Sequence, residues 1–400
     1  MRLRTLESFG LIKNGLLYSY PSLQNNLDAD IVVVGAGISG ALTAHALIEN
    51  GYAVTLVDKR DVGQGSTAAS TSLLQYEIDV PLYLLAGMIG EKNAARCYQA
   101  GIDAIQKLDN LLQVYQVDCG FKNKKSLYIA HSRNAVKNLQ QEFKIRDKYN
   151  LGVQWLSARD VLAKYGVVCY GAILSDTAAS MDVYKLTQEL IQINLKKGMQ
   201  VYDQTEILTF ETHKTRPVIN LKNDSKIRCN KIIFCTGFET TKMLKEHVAK
   251  LFYTYACVSE TKIELPEQLH HTLLWDTHDP YTYMRTTEDG RLLVGGEDSS
   301  INFPFFQNHI KERKSMALIK KVNHLIPGIH FIEDFSWGGS FGSTKDGLPY
   351  IGQSPEFKNA LFVLAFGGNG ITFSVQAMEI IPLLLKGKKH ALANDYRFGR

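Results

Sequence analysis

Three glycines spaced Gly35-x-Gly37-x-x-Gly40, followed by an acid at Asp58, are the residues of this chain whose types most directly imply chemistry. The first glycine allows a tight turn, the second lets the backbone approach a pyrophosphate, and the third lets a helix pack closely on a sheet. The helix N-terminus that follows, at Ile38 and Ser39, turns free N–H groups and a partial positive charge towards the phosphates. Asp58, eighteen residues beyond Gly40, is placed to accept hydrogen bonds from a ribose diol. A glycine turn alone is common and serves structure as readily as binding. The elements around it argue for a dinucleotide.

Ala29-Asp30-Ile31-Val32-Val33-Val34 is a compact β-branched run, suited to a strand buried on both faces. Ala41 to Gly51 reads as a helix closed by a glycine, and Tyr52 to Val57 as the next strand, with Asp58 at its carboxyl end. Further along, Glu91–Gln116, Asn134–Lys148 and Val183–Lys197 read as helices, Met199–Tyr202 and Ile232–Gly237 as strands with short turns. Tyr253–Thr261, Tyr281–Arg285 and Arg291–Gly295 are strand-like, and Glu288-Asp289-Gly290 is a hairpin signal. The expected fold is α/β: a Rossmann-type domain with a parallel sheet, plus an α+β substrate domain with an antiparallel sheet. The expected division gives residues 28–90, 150–250 and 326–400 to the first and 91–149 and 251–325 to the second. Residues 1–27 form an N-terminal arm.

From Asp30 onward the chain resembles the D-amino-acid oxidase superfamily of flavoproteins, which includes glycine oxidase, sarcosine oxidase and γ-glutamylputrescine oxidoreductase. The glycine fingerprint alone does not separate FAD from NAD; the resemblance implies FAD. Gly63-Gln64-Gly65-Ser66-Thr67-Ala68-Ala69-Ser70 resembles the loop that runs along the cofactor towards its ring. Thr205-Glu206-Ile207 resembles the segment whose backbone meets the adenine, and Cys235-Thr236-Gly237 stands where the family carries Ala-Thr-Gly. Trp337-Gly338-Gly339, then Asp346-Gly347-Leu348-Pro349-Tyr350-Ile351-Gly352, then Gly367-Gly368-Asn369-Gly370-Ile371, resemble the C-terminal segment that closes over the isoalloxazine. The implied cofactor-binding residues are Gly35, Gly37, Ile38, Ser39, Gly40, Asp58, Lys59, Gly65, Ser66, Thr67, Ile207, Thr236, Gly237, Gly339, Gly368, Asn369, Gly370 and Ile371. Gly367–Gly370 opens an expected helix, Ile371–Leu385, whose N-terminus would face the flavin N1–C2=O edge, where charge gathers on reduction. Some relatives attach FAD through a cysteine here; Trp337–Gly352 contains none, so a non-covalent cofactor is expected.

In glycine oxidase and the D-amino-acid oxidases this C-terminal segment carries an arginine that holds the substrate carboxylate. Counting from Trp337 and Thr344-Lys345-Asp346-Gly347, the corresponding residue is Phe341, which cannot make a bidentate carboxylate contact. Free α-amino acids are therefore expected to be poor substrates, and a small amine is expected instead. Arg285 lies on an expected substrate-region strand. It either binds an anionic part of the substrate or pairs with an acid, while Tyr281 and Tyr283 share its strand face as an aromatic wall. Glu77 and Asp79 interrupt an apolar stretch, and each either holds a cationic amine or serves as a helix cap or buried arginine partner. The implied substrate-binding residues are Arg285, Tyr283, Phe341 and Glu77; no catalytic residue is assigned.

The expected reaction is hydride removal from the carbon beside an amine nitrogen to flavin N5, followed by imine hydrolysis. One alternative is hydroxyl oxidation, as in FAD-dependent hydroxy-acid or polyol-phosphate dehydrogenases, which need a basic cluster. Another is a flavin-binding module without turnover. The electron acceptor, O₂ or another, is open. The 400 residues are 45% hydrophobic and 21% charged with a net charge of +5, a globular composition without the interleaved basic and aromatic blocks of a nucleic-acid binder. Six scattered cysteines without a C-x-x-C pair, no signal peptide and no apolar run long enough for a membrane span lead to a cytoplasmic expectation. The histidines lack ligand spacing, so no metal is expected.

Overall fold

The computed structural model describes residue 4 and residues 8–213, 215–261, 263–300 and 307–400. Parts of the expected arm (1–3, 5–7) and of the expected domains (214, 262, 301–306) lie outside the described residues.

Ile31–Val34 forms the central strand of a six-stranded sheet ordered Tyr350–Gly352, Ala360–Leu364, Lys231–Phe234, Ile31–Val34, Val54–Val57, Gln200–Tyr202. All neighbouring pairs are parallel except the one made by Tyr350–Gly352. The β-branched run explains its position. Ile31 and Val33 enter one core with the helices Ile38–Glu49 and Gly370–Leu385, and Val32 and Val34 enter another with Ile219, Phe234 and Phe362. A strand buried on both faces has no use for polar alternation. The second core closes against a four-stranded sheet, Leu27–Asp28, Lys226–Arg228, Val218–Leu221 and Ile207–Glu211.

A nine-stranded sheet forms the other layer. Its path runs Glu333–Ser343, Lys250–Ser259, Leu292–Ser299, Tyr283–Thr286, Thr272–Asp276, Lys122–Ile129, Ala172–Ser180, Leu73–Gln75, with Val153–Leu156 paired beside Ala172–Ser180. The hairpin expected at Glu288-Asp289-Gly290 joins two antiparallel strands, and Gly290 adopts φ +81° in the turn. This sheet draws on more of the chain than the sequence division allows. Leu73–Gln75, Val153–Leu156, Ala172–Ser180 and Glu333–Ser343 all belong to it, although their ranges were assigned to the cofactor-binding region. Short strands carry no local mark of which sheet they will join. The N-terminal segment also departs from a plain arm: Phe9–Asn14 is helical, and Phe9 stacks on Trp337 with ring centroids 6.0 Å apart.

A fully buried ion network ties the helices Arg133–Lys148 and Leu82–Ile89 to the segment after the strand Leu73–Gln75. Arg146 Nε donates to Glu142 Oε1 at 2.6 Å, and its Nη1 lies 3.5 Å from Glu77 Oε1. Glu142 also accepts from the Leu82 and Tyr83 N–H groups, both at 3.0 Å, capping the helix Leu82–Ile89. Tyr76, Tyr98 and Tyr128 present ring faces to the guanidinium at 5.8, 5.5 and 5.9 Å. Glu77 is therefore corrected from a substrate-binding residue to a structural one. Its side chain is fully buried against Arg146 and Ser175, and burial pushes its carboxyl above the usual range against the pull of Arg146. Arg146→Ala leaves two buried carboxylates without their cation and should destabilise the protein by about 3–5 kcal/mol. Urea unfolding monitored by far-UV circular dichroism checks this; a loss below about 1 kcal/mol would show that the network contributes little.

Candidate active site

Between the two layers lies an elongated cavity of about 540 Å³, within the range of small-molecule and cofactor sites. One end is the glycine loop. Gly35 adopts φ +104°, and a Cβ there would stand 2.4 Å from the Cys235 carbonyl oxygen. A Cβ on Gly40 would stand 1.8 Å from the Gly35 carbonyl oxygen, so the third glycine lets the helix close on its own loop. Gly37 is different: its Cβ would meet Thr67 Oγ1 at 3.0 Å, on the cavity side. Thr67 Oγ1 also accepts from the Ile38 N–H at 3.0 Å, so a loop hydroxyl satisfies part of the helix N-terminus. Ser39 Oγ lies 2.7 Å from Ser374 Oγ, tying this helix to Gly370–Leu385.

Asp58 sits where the strand Val54–Val57 ends. Its carboxylate accepts from the Ala36 N–H at 2.7 Å and the Arg60 N–H at 2.9 Å. Burial raises its pKa, and those two donors oppose the shift. Beside it Lys59 and Arg60 pair with Glu239 at 2.7 and 3.1 Å. Glu206, Ile207, Leu208 and Phe210 complete this end.

The other end lies under the nine-stranded sheet. Thr254, Tyr255, Tyr281, Tyr283, Asp298 and Phe341 line it, opposite Gly367 and Gly368. Asp79 positions the glycine turn: it accepts from the Gly368 N–H at 2.8 Å and from the Tyr281 hydroxyl at 3.2 Å. A Cβ at Gly368 would stand 2.7 Å from Asp79 Oδ1 and 2.9 Å from the Tyr281 hydroxyl, so any larger residue there must displace those side chains. Asn369 fastens the same turn from below, donating to the Gln75 and Glu77 carbonyls at 2.9 and 2.8 Å.

Most of the residues named from the sequence meet at this cavity. Gly35, Gly37, Ile38, Ser39, Asp58, Lys59, Gly65, Ser66, Thr67, Ile207, Thr236, Gly237, Gly339, Gly368, Gly370 and Ile371 line it, as do Tyr283 and Phe341. Gly40 and Asn369 act behind the wall, the first by close packing and the second by holding the turn. Arg285 is corrected. It shares a strand face with Tyr283 but lines a second, smaller cavity, its guanidinium donating to the Thr71, Thr286 and Met181 carbonyls at 2.6, 3.2 and 3.5 Å. Asp346 of the C-terminal segment also stays outside the cavity, paired with Arg400 at 2.7 Å. Sequence reasoning missed Asp298, Thr254 and Tyr255. The alternation Tyr253–Tyr255 and the acids of Gly296-Glu297-Asp298 were the available signals, but nothing local shows which of them face inward.

The residues present fit FAD. The cradle at Gly37 is open to a ligand, Asp58 is half-buried at a strand end, and the Ser66 hydroxyl is buried beside the cavity without a hydrogen-bond partner among the described residues. FAD would be held by the glycine loop and Ser66 at its phosphates, by Asp58 at its ribose, and by the Gly367–Ile371 turn at its ring. A Cβ at Gly37 meets the Thr67 hydroxyl and no backbone, so Gly37→Val should fold but lose at least about 90% of its 450 nm absorbance per protein. A yellow variant with the wild-type absorbance ratio would place the pyrophosphate elsewhere.

Comparison with known proteins gives the same direction. The chain is 24% identical over 381 residues to a putative Rieske 2Fe-2S iron–sulfur protein of Bacillus subtilis, covering 94% of this chain and 72% of that one. It is 21% identical over 379 residues to γ-glutamylputrescine oxidoreductase of Escherichia coli, covering 92% and 86%. Glycine oxidase of Geobacillus kaustophilus is 21% identical over 372 residues, covering 90% and 94%. The crystal structure of that enzyme shares the fold with a TM-score of 0.77 at 18% identity, over 94% of this chain and 99% of that one. The model of the FAD-dependent oxidoreductase family, DAO, matches residues 30–380, and the chain belongs to that family.

Proposed function

We propose that this FAD-dependent oxidoreductase oxidises the C–N bond of a small amine or N-substituted amino acid, and that free α-amino acids are poor substrates. The observation that carries the reading is Phe341 in the cavity wall, at the position where the resemblance calls for a carboxylate-binding arginine. Arg285 does not replace it, because its guanidinium faces the second cavity. Among the described lining residues, the guanidinium in the main cavity is that of Arg60, already paired with Glu239 beside Asp58. The wall near Phe341 is instead aromatic and acidic. Burial raises the Asp298 carboxyl, the Thr254 hydroxyl opposes the shift, and the charge of Asp79 adds to it. Such a wall offers no guanidinium to grip the carboxylate of a free α-amino acid and leaves room for an amine nitrogen.

FAD, when bound, supplies the acceptor for the hydride equivalent that leaves the carbon beside nitrogen, and the imine product hydrolyses in water. The chain's own residues orient and desolvate. Tyr255, Tyr281, Tyr283 and Phe341 form a wall that excludes water, which also favours the neutral amine that hydride loss requires. Asp79 holds the glycine turn and Tyr281 in fixed relation. A non-covalent cofactor is supported by Cys235, which lines the cavity as a thiol pushed up to about 12 by burial rather than as a nucleophilic thiolate. Oxidation of a hydroxy acid or polyol phosphate would call for a basic cluster; the basic residues among the described lining are Lys59, Arg60 and Lys242, and the first two are paired with Glu239.

The test is anaerobic bleaching of the flavin by N-methylated amino acids, polyamines, γ-glutamyl amines, free amino acids and hydroxy acids in turn. Bleaching by an amine without bleaching by hydroxy acids is expected; the reverse pattern would transfer the assignment to hydroxyl oxidation. Phe341→Arg should shift preference towards carboxylate-bearing substrates by at least about tenfold in kcat/KM, the discrimination of one good charged contact. An unchanged preference would remove Phe341 from the substrate wall. Acid precipitation should leave the flavin in the supernatant, and a yellow pellet would contradict non-covalent binding.

A further inference from the structure

We infer that the second cavity, about 180 Å³ and walled by Lys124 and Arg285, is a binding site for a small oxyanion of carboxylate or phosphate chemistry. Both side chains are buried, at 6% and 8% exposure, so each charge is largely removed from water. Among the described residues, neither has a carboxylate within bonding distance. Lys124 Nζ donates to the His270 carbonyl at 2.5 Å and to Thr286 Oγ1 at 3.0 Å. The Arg285 donors reach three backbone carbonyls, which leaves part of its five-donor fork free.

The surrounding charges do not neutralise the pair. Burial pushes Lys124 down to about 8, and the like charges of Arg285 and Lys122 push it further in the same direction. Burial likewise lowers Arg285 to about 10, opposed by Asp182, Glu288 and Asp289. The two acids that line this cavity are already engaged. Asp182 accepts from Asn14 at 2.7 Å with Lys13 at 3.6 Å, and Glu288 pairs with Lys13 at 3.3 Å. Two adjacent buried cations with only neutral acceptors are costly. The cavity beside them has room for several atoms. An oxyanion there would meet a planar fork suited to two oxygens and an ammonium suited to one.

The site is separate from the flavin cavity yet shares a wall with it. Thr67, Ser70, Ser72 and Val183 line both, and the Thr71 carbonyl that holds Arg285 belongs to the loop along the main cavity. The inference does not rest on the amine reading, since it uses neither the flavin nor Phe341.

Titration calorimetry on the FAD-loaded enzyme tests it, with inorganic phosphate in one arm and malonate in the other. Saturable binding of at least one anion at about one per chain is expected, and the tighter arm names the chemistry. Lys124→Met and Arg285→Gln should each weaken it by at least about tenfold, the scale of one lost charged contact. Lys124→Arg, which keeps the charge, should retain it within a few-fold and guards against a merely misfolded variant. Phe341→Leu should leave it unchanged. Absence of binding in both arms at tens of millimolar, or binding that survives Lys124→Met, would overturn the inference.

Discussion

The close approach of backbone to backbone at the glycine loop is the constraint on which the rest of this structure depends. Gly35 passes the Cys235 carbonyl at a distance that no side chain permits, and Gly40 closes the helix onto Gly35 itself. These contacts bring the strand Ile31–Val34, the helix Ile38–Glu49 and the strand Lys231–Phe234 into one compact edge. Asp58 then lies within reach of the Ala36 N–H, and the end of the sheet becomes one end of the cavity. The four apolar residues of Ile31–Val34, facing two cores, supply the burial that offsets a loop with so little side-chain packing of its own.

The second layer completes what the first begins. A sheet of nine strands stands over the far end of the cavity and contributes its wall, while a glycine turn from the C-terminal segment approaches from the opposite side. Asp79 joins the two by bonding the Gly368 N–H and the Tyr281 hydroxyl. Its neighbour Glu77 points the other way into the Arg146 network. Two acids two residues apart therefore divide the work, one setting the cavity wall and one joining the buried Arg146 network.

Much of this was legible in the chain. The strand–loop–helix–strand unit from Ile31 to Asp58 carries its own instructions, because period, glycine spacing and terminal acid are all local. The same holds for the helix Gly370–Leu385 and the hairpin at Glu288-Asp289-Gly290. What was not legible depends on contacts between distant segments. Alternation puts Tyr283 and Arg285 on one strand face, but two cavities open along that face, and the Thr71 carbonyl captures the guanidinium. Glu77 became structural because Arg146, sixty-nine residues away, arrives beside it. Asp298 faces the cavity by virtue of a strand register that nothing nearby in sequence specifies.

We propose that one continuous cavity, from Asp58 to Phe341, holds a flavin dinucleotide by both halves. Reconstitution of flavin-free protein with FAD, FMN and ADP in parallel, followed by fluorescence quenching or calorimetry, tests it most directly. FAD should bind at least about a hundredfold more tightly than FMN, with ADP competing, because the Asp58 end supplies a large share of the contacts. Equal affinity for FMN and FAD, with no competition by ADP, would contradict the account.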